Sequence, residues 1–584
     1  MKKFLALILT VSFASADQIF PEPGWVEQPD AIASPYARKG GVLRFAAFRP
    51  PKSLNAYLDS NTYTRQVFDM MYETLLAIDS VTAEFAPNLA SRWTISDDKL
   101  TFTFEIDPRA KWSDGVPVTA ADVEWTYNAV MDPKNATGAT KVILGVFEPP
   151  TVLNERTIRF KAKECHWRNL LALGDFEILP KHAFEKQEFS KLNLTDTPVV
   201  SGPYVLTKVK EQIEIQMDRR PDWWAVDRPA NRGTMNFDKV IFRYYTDNEN
   251  AFEAFKKGQV DVYAVYTARL WANETHGEKF DKNWAVKQRV HNYEPIGFQG
   301  FAMNMRRPPF DDLRVRQAFA HLVDRETMNR TMMFNAYFLH RSYCEDLYND
   351  KHPCKNAFYE FNIDKAKALL QEAGYRPNPQ TGLLEKNGVP LKFRFLTRDS
   401  SSEKFLALCN HAFKQVGIQM EIDRKDFAAW MRDIDEYNFD MTWASWSSQI
   451  FRDPEPMWSS SEADRPSGNN ITGFKDPVVD ELIKKQKTIF NTAERNEIMR
   501  KVDERIAAQV PYVLLWNSGA TRLLYWDTFG MPDCILSKFN DERSLIGYWW
   551  YDPDSAAELK AAMKSGAVLP HRDVEVYFDE VFNK

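Results

Sequence analysis

Four side chains in the run KWSDGVPVTAADVEW, Lys111 to Trp125, could do chemistry. They are the Thr119 hydroxyl and the carboxylates of Asp114, Asp122 and Glu124. A hydroxyl beside acids suits acid–base or nucleophilic catalysis, provided that a base activates it. The stretch holds no His or Cys to serve as that base. Local chemistry explains the same residues as scaffold. Asp114-Gly115 is a turn signal. Thr119 stands at a helix N-cap, Asp122 completes a capping box, and Val118 and Val123 occupy the staple positions. Val123, Tyr127 and Val130 continue one apolar face. A helix start worth about 0.5–2 kcal/mol accounts for the acids.

Other reactive constellations fail in the same way. The chain has no G-x-S-x-G elbow, H-E-x-x-H pair or P-loop. His411 and Cys409 point to different faces of one helix, and His321 sits mid-helix among core positions. His340, His352 and Cys344 match no zinc spacing. Asp453/Glu455 and Asp433/Asp435 resemble glycosidase pairs, but among 81 acids such pairs arise by chance. No enzyme activity, metal or cofactor is expected. Cys344 and Cys354, in SYCEDLYNDKHPC, are expected to bridge in an oxidising compartment. Cys165, Cys409 and Cys534 read as buried small hydrophobes.

The elements that would position any site change in texture along the chain. The first half is mixed. Gly41–Phe48 and Leu100–Ile106 read as strands, Tyr63–Ile78 as a helix, and Val152–Ala162 as a hairpin around Asn154-Glu155. From about residue 300, strands and helices alternate. Asp312–Val323, Ile363–Ala373 and Glu403–Val416 have helical spacing, and Gly374 and Gly417 end the last two. Leu391–Thr397, Glu403–Val416 and Ile418–Ile422 form a β-α-β unit, hence a parallel pair. Phe439–Trp446 is a further strand, then helices near Val478–Ile489 and Ala493–Ala508, and the strand Pro511–Trp516. An α/β fold of two lobes with a ligand crevice is expected.

Length and charge narrow the function. The 584 residues carry 75 basic and 81 acidic side chains. MKKFLALILTVSFASA reads as a signal peptide, residues 1–16, cut after Ala16. Losing Lys2 and Lys3 makes the balance 73 − 81 = −8, which argues against nucleic-acid binding. No Cys for a lipid anchor lies near the cleavage site, and no later run of about 18 apolar residues appears. An unanchored, periplasmic protein is expected.

Short motifs in a fixed order now become informative. They are Tyr72-Glu73-Thr74-Leu75-Leu76; Pro87-Asn88-Leu89-Ala90-Ser91-Arg92-Trp93; Trp112 to Val123; Ile178-Leu179-Pro180-Lys181-His182; Gly202-Pro203-Tyr204; Phe301-Ala302-Met303-Asn304; Val315-Arg316-Gln317-Ala318 with Asp324-Arg325; and Pro511-Tyr512-Val513. In this order the chain resembles the family 5 extracellular solute-binding proteins, the dipeptide and oligopeptide receptors of ABC importers. Met305 to Phe310 and Ile471-Thr472-Gly473-Phe474 look like the Yej-type branch, whose resemblance implies oligopeptide or microcin C cargo.

The resemblance implies a type II periplasmic binding protein with an extra subdomain in lobe one. Lobe one would run over 17–300, with the subdomain at 87–200, lobe two over 301–512, and 513–584 would return to lobe one. The lobes would close on a peptide and deliver it to a permease in the inner membrane, the receptor being a monomer. An oligosaccharide receptor is the alternative, a secreted hydrolase a remoter one. Ser445, Trp446, Ser447, Ser448 and Gln449 are the expected lobe-two ligand contacts. Phe48, Tyr63 and Thr64 are the lobe-one candidates, Asn304 and Asn517 lie near the crossovers, and Arg398 could meet a carboxylate. Members that bind a free amine often carry W-x-x-D-x-x-D-P. Here Gln449 takes the amine-binding position and one residue is inserted before Asp453-Pro454. The ligand amine is then expected to be blocked, solvated, or met by another acid such as Asp453, because an unpaired buried ammonium is expensive.

Overall fold

A computed structural model describes residues 17–582 apart from 60, 193, 195–197 and 399. The expected signal peptide lies outside the described residues. The chain forms two compact units, one running to Ala251 with Trp549–Tyr551, the other Phe252–Tyr548 with Asp552 onward. Among the described residues no helix is long and apolar enough to cross a membrane.

The first unit holds an antiparallel sheet in the order Gln18–Phe20, Ala90–Ile95, Thr101–Ile106, Thr157–Lys161, Thr151–Asn154. The last two strands are the expected hairpin, Val152 facing Ile158. Alternation puts Phe102, Phe104, Ile158 and Phe160 on the buried face. Helix Ala120–Met131 supplies buried Val123, Tyr127 and Val130. The Tyr127 and Phe160 rings meet edge to face at 5.8 Å, a favoured aromatic geometry. The scaffold reading of the capping box holds. The Thr119 amide donates to Asp122 Oδ2 at 2.8 Å, and Asp122 Oδ1 accepts from the Lys181 amide at 2.9 Å. Asp114 caps its turn through the Val116 amide and pairs with His182 at 2.7 Å.

A second sheet of this unit pairs Val42–Phe48 in parallel with Lys239–Tyr245, which continues antiparallel through Glu214–Arg219 to Tyr204–Lys210. The expected helix Tyr63–Ile78 is shorter, Thr62–Met71, and Leu76–Ile78 is a strand. Tyr72 is already extended (φ −123°, ψ 128°). The next residue, Glu73, is held by two indoles: Trp223 Nε1 donates to its Oε1 at 3.3 Å and Trp224 Nε1 to its Oε2 at 2.6 Å. Tertiary hydrogen bonds outweigh helical spacing here.

The second unit contains the expected α/β sheet. Its order is Gln419–Arg424, Lys392–Thr397, Met441–Trp446, Phe298–Met303, Tyr512–Leu514. The first three strands are parallel and the β-α-β helix is Glu403–Gln415. Phe298–Met303 runs antiparallel to both neighbours, Phe298 facing Trp446 and Phe301 facing Val513. Phe301, Phe393, Phe395, Phe319 and Phe413 are buried in its core. The same unit also contributes paired strands in the order Glu575–Tyr577, Ala285–His291, Thr521–Trp526 and Val262–Ala264 to an eight-stranded sheet. The chain passes between these two sheets twice, through residues 292–297 and 515–520.

Buried arginines brace the unit by donating to carbonyls. Arg316 donates from Nε to Gln509 O and from Nη1 to Phe310 O. Arg325 donates from Nη1 to His340 O and Leu514 O. Burial lowers both guanidinium pKa values to about 10. The five cysteines all stand as thiols in this structure, so the expected Cys344–Cys354 bridge is not formed there. Burial raises the pKa of both thiols, more so at Cys344, which disfavours the thiolate needed for exchange.

Candidate functional site

Both passages of chain between the sheets of the second unit line one cavity of about 520 Å³. Its wall takes Asn292 and Glu294–Gly297 from the first passage and Asn517–Arg522 from the second. Ser445–Ser448 enter from the end of the strand Met441–Trp446, Tyr266 and Tyr337 supply rings, and Asp541–Arg543 close one side. This volume lies in the range of small-molecule sites.

The strand end reaches the cavity because Gly297 lets the first passage lie against it. A Cβ on Gly297 would stand 2.1 Å from the Trp446 carbonyl oxygen. The two chains touch backbone to backbone where any side chain would hold them apart. Trp446 is half-buried, its Nε1 donating to the Tyr512 hydroxyl at 3.1 Å. Ser445 and Ser447 are exposed. Asn517 donates from Nδ2 to Gly297 O at 2.8 Å, and its Oδ1 accepts from the Ser518 amide at 2.7 Å, tying one passage to the other.

Charge is concentrated on one side. Arg543 and Asp541 form a bidentate pair, Nε to Oδ1 at 2.9 Å and Nη2 to Oδ2 at 2.6 Å. Glu542 is 6 % exposed. Its Oε1 accepts from the Tyr266 hydroxyl at 2.5 Å, whereas its Oε2 is buried with no hydrogen-bond partner among the described residues. Glu294 accepts from the Thr521 hydroxyl at 3.3 Å. Burial, with Asp541 nearby, pushes both the Glu542 and the Glu294 carboxyl up to about 7. Arg522 is also buried, donating to Ala336 O at 2.8 Å with its guanidinium 4.7 Å from the centre of the Tyr337 ring.

The cavity brings together Ser445, Trp446, Ser447, Ser448 and Asn517 of the residues singled out from sequence. The others stand elsewhere. Gln449 is exposed and outside the wall. Asp453 Oδ1 accepts from the Glu455 amide at 3.1 Å and from Gln486 at 3.4 Å. Asn304 is buried and donates to Tyr437 O and Phe439 O at 3.0 and 2.9 Å, which is a bracing role. Arg398 is exposed over the rings of Phe427 and Trp430, 5.2 and 4.5 Å from their centres. In the first unit, Phe48 ends its strand opposite Tyr245, and Tyr63 meets Tyr244 edge to face at 6.5 Å. Thr64 is buried, donating to Asp59 Oδ2 at 3.1 Å. Sequence reasoning missed Tyr266, Glu294, Tyr337, Arg522 and Glu542. The one local hint was the charge run Asp541-Glu542-Arg543.

Comparison with known proteins agrees with this architecture. The family model for bacterial extracellular solute-binding proteins, family 5 middle, matches residues 84–468. YejA of Escherichia coli (strain K12) is 29% identical over 573 residues, covering 91% of this chain and 92% of that protein. The "Probable peptide-binding protein YejA" of Agrobacterium fabrum is 27% identical over 546 residues, covering 85% and 87%. The oligopeptide-binding protein AppA of Bacillus subtilis, solved with a nonapeptide, superposes with a TM-score of 0.68 at 22% identity, covering 88% of this chain and 99% of that one. The fold is accordingly the two-lobed α/β fold of such proteins. The chain belongs to family 5 of the bacterial extracellular solute-binding proteins, and within it to the Yej type.

Proposed function

We propose that this protein is the periplasmic receptor of an ABC importer, that it captures oligopeptides intact, and that the cavity around Trp446 holds part of the cargo. The observation that carries the peptide reading is the wall's mixed charge. Glu294, Asp541, Glu542, Arg522 and Arg543 stand beside Trp446, Tyr266 and Tyr337. A neutral oligosaccharide brings no charge of its own to pair with such a wall, whereas peptides bring charged ends and side chains that need partners. The peptide named for the Agrobacterium relative and the nonapeptide in the Bacillus structure support the same class.

The mechanism follows from the two passages of chain. Lobes bounded near residues 300 and 512 rotate about those passages and shut on the ligand. Main-chain hydrogen bonds hold an extended peptide independently of its side chains, and hydrated pockets admit varied residues. The closed form docks on the permease, and the receptor makes and breaks no covalent bond. Modified peptides such as microcin C are a narrower case of this cargo. Mass spectrometry of what co-purifies, combined with scattering before and after peptide addition, tests the proposal. Intact peptides with a compaction on binding are expected. Retained sugars, cleaved peptides, or an unchanged profile with every peptide mixture would overturn it.

A further inference from the structure

The cavity holds more acid than its own bases answer. Arg543 is taken by Asp541, and Arg522 is directed to the Ala336 carbonyl and the Tyr337 ring. That leaves Glu294 and Glu542. Glu542 is more than nine-tenths buried, and one carboxylate oxygen has no hydrogen-bond partner among the described residues. Its other oxygen is held by Tyr266, which fixes the direction of the group. A buried, oriented and half-satisfied carboxylate costs stability unless something arrives to meet it. The cargo is the natural partner, since a peptide carries an ammonium at its amino terminus and on each lysine.

We infer that Glu542, with Glu294 as second acid, is the cation anchor of the cavity and receives an ammonium group of the peptide. This rests on the peptide reading above. It moves amine recognition away from the neighbourhood of Gln449 and Asp453, which stand outside the cavity wall. The geometry suits an ammonium, because Tyr266 pins Oε1 and Oε2 is left for a charge-assisted bond. The ammonium displaces protons from the acids as it binds. Besides each other, these acids face Asp541, Arg543 and Arg522, the Tyr266 hydroxyl and the Thr521 hydroxyl. Glu294 and Glu542 are the groups of this wall raised to about 7.

The test uses the full chain and two matched peptide libraries, one with free amines and one N-acetylated, both lacking lysine, mixed in equal amounts. Retained species are counted by mass spectrometry after gel filtration. At pH 8 the native protein should retain free-amine peptides over acetylated ones by about tenfold or more, the scale of leaving a buried charge unpaired. The preference should shrink as pH falls through about 7 and the acids protonate. It should fall towards unity in Glu542→Gln and weaken in Glu294→Gln, through loss of free-amine peptides rather than of acetylated ones. Equal retention of both libraries by the native protein would overturn the anchor and leave the peptide reading standing. A preference unchanged by either substitution, or independent of pH, would also overturn the anchor. Retention of neither library would overturn both readings. The pH series needs no variant, so it decides the matter even if a substitution fails to fold.

Discussion

Replacing Gly297 by alanine adds one methyl group where the chain leaves no space for it. The new Cβ would lie 2.1 Å from the Trp446 carbonyl oxygen and 3.0 Å from Ser447 Cα. Real Cβ contacts essentially never fall under 3.0 Å, so the backbones must separate by at least 0.9 Å, the difference 3.0 − 2.1. No side chain can swing aside, because both obstructing atoms are main chain. The separation strikes at Phe298 opposite Trp446, the adjacent pair of the sheet, and at the bond from Asn517 to Gly297 O. Losing about two hydrogen bonds at about 1 kcal/mol each, with an overpacking strain of about 1 kcal/mol or more, gives a loss of about 3 kcal/mol. Denaturant titration of the variant against the native protein measures it. Retention of the mixed peptide library should fall too, because the strand end bearing Trp446 moves. An alanine variant with native stability and native retention would refute the reasoning, by showing that the two backbones do not meet at Gly297.

Other outcomes are fixed by single contacts. Burial pushes the Glu73 carboxyl from about 4.5 to about 7, so the folded state keeps a proton that the unfolded chain has already released. Its contribution to stability is therefore greatest below about pH 4.5 and is lost as pH rises through about 7. Glu73→Gln should gain on the native protein between pH 5 and pH 8 by about 2–3 kcal/mol, read as the difference between two denaturation series; a difference that does not move with pH would contradict the assignment. Asn304→Ala removes two hydrogen bonds to carbonyls of the loop before the strand Met441–Trp446 and should cost about 2 kcal/mol, with peptide retention per folded molecule unchanged; the reverse pattern would make Asn304 a ligand contact. Unfolding without reductant in the presence of iodoacetamide should add five alkyl groups, one for each cysteine. An uptake two groups short would show that Cys344 and Cys354 are bonded after all.

Local signals in the sequence were enough for local structure. The Thr119–Asp122 capping box, the Asn154-Glu155 hairpin and the β-α-β unit around Glu403–Gln415 all follow from spacing within a few residues. The end of the helix at Met71 was not legible, because what stops it is Glu73 held by indoles 150 and 151 residues away. The site divides in the same way. Ser445 to Ser448 could be picked out as one strand end, and Asn517 as a crossover residue, and all five line the cavity. Glu294 and Glu542 could not, since each is an ordinary surface-type residue until the fold sets both in one wall. Gln449 shows the opposite limit: its place in a motif marked it, but that motif sets no side-chain direction, and the residue faces solvent.

The two lengths of chain that join the sheets of the second unit also furnish the lining of the cavity. If the lobes close as proposed, hinge and wall are one piece of polypeptide. A guest that presses on this lining presses on the joints themselves, so occupancy and rotation are not separate variables in such a machine. On that proposal, substitutions chosen to widen the repertoire of cargo would alter how readily the jaws swing, and substitutions chosen to stiffen the joints would alter what fits.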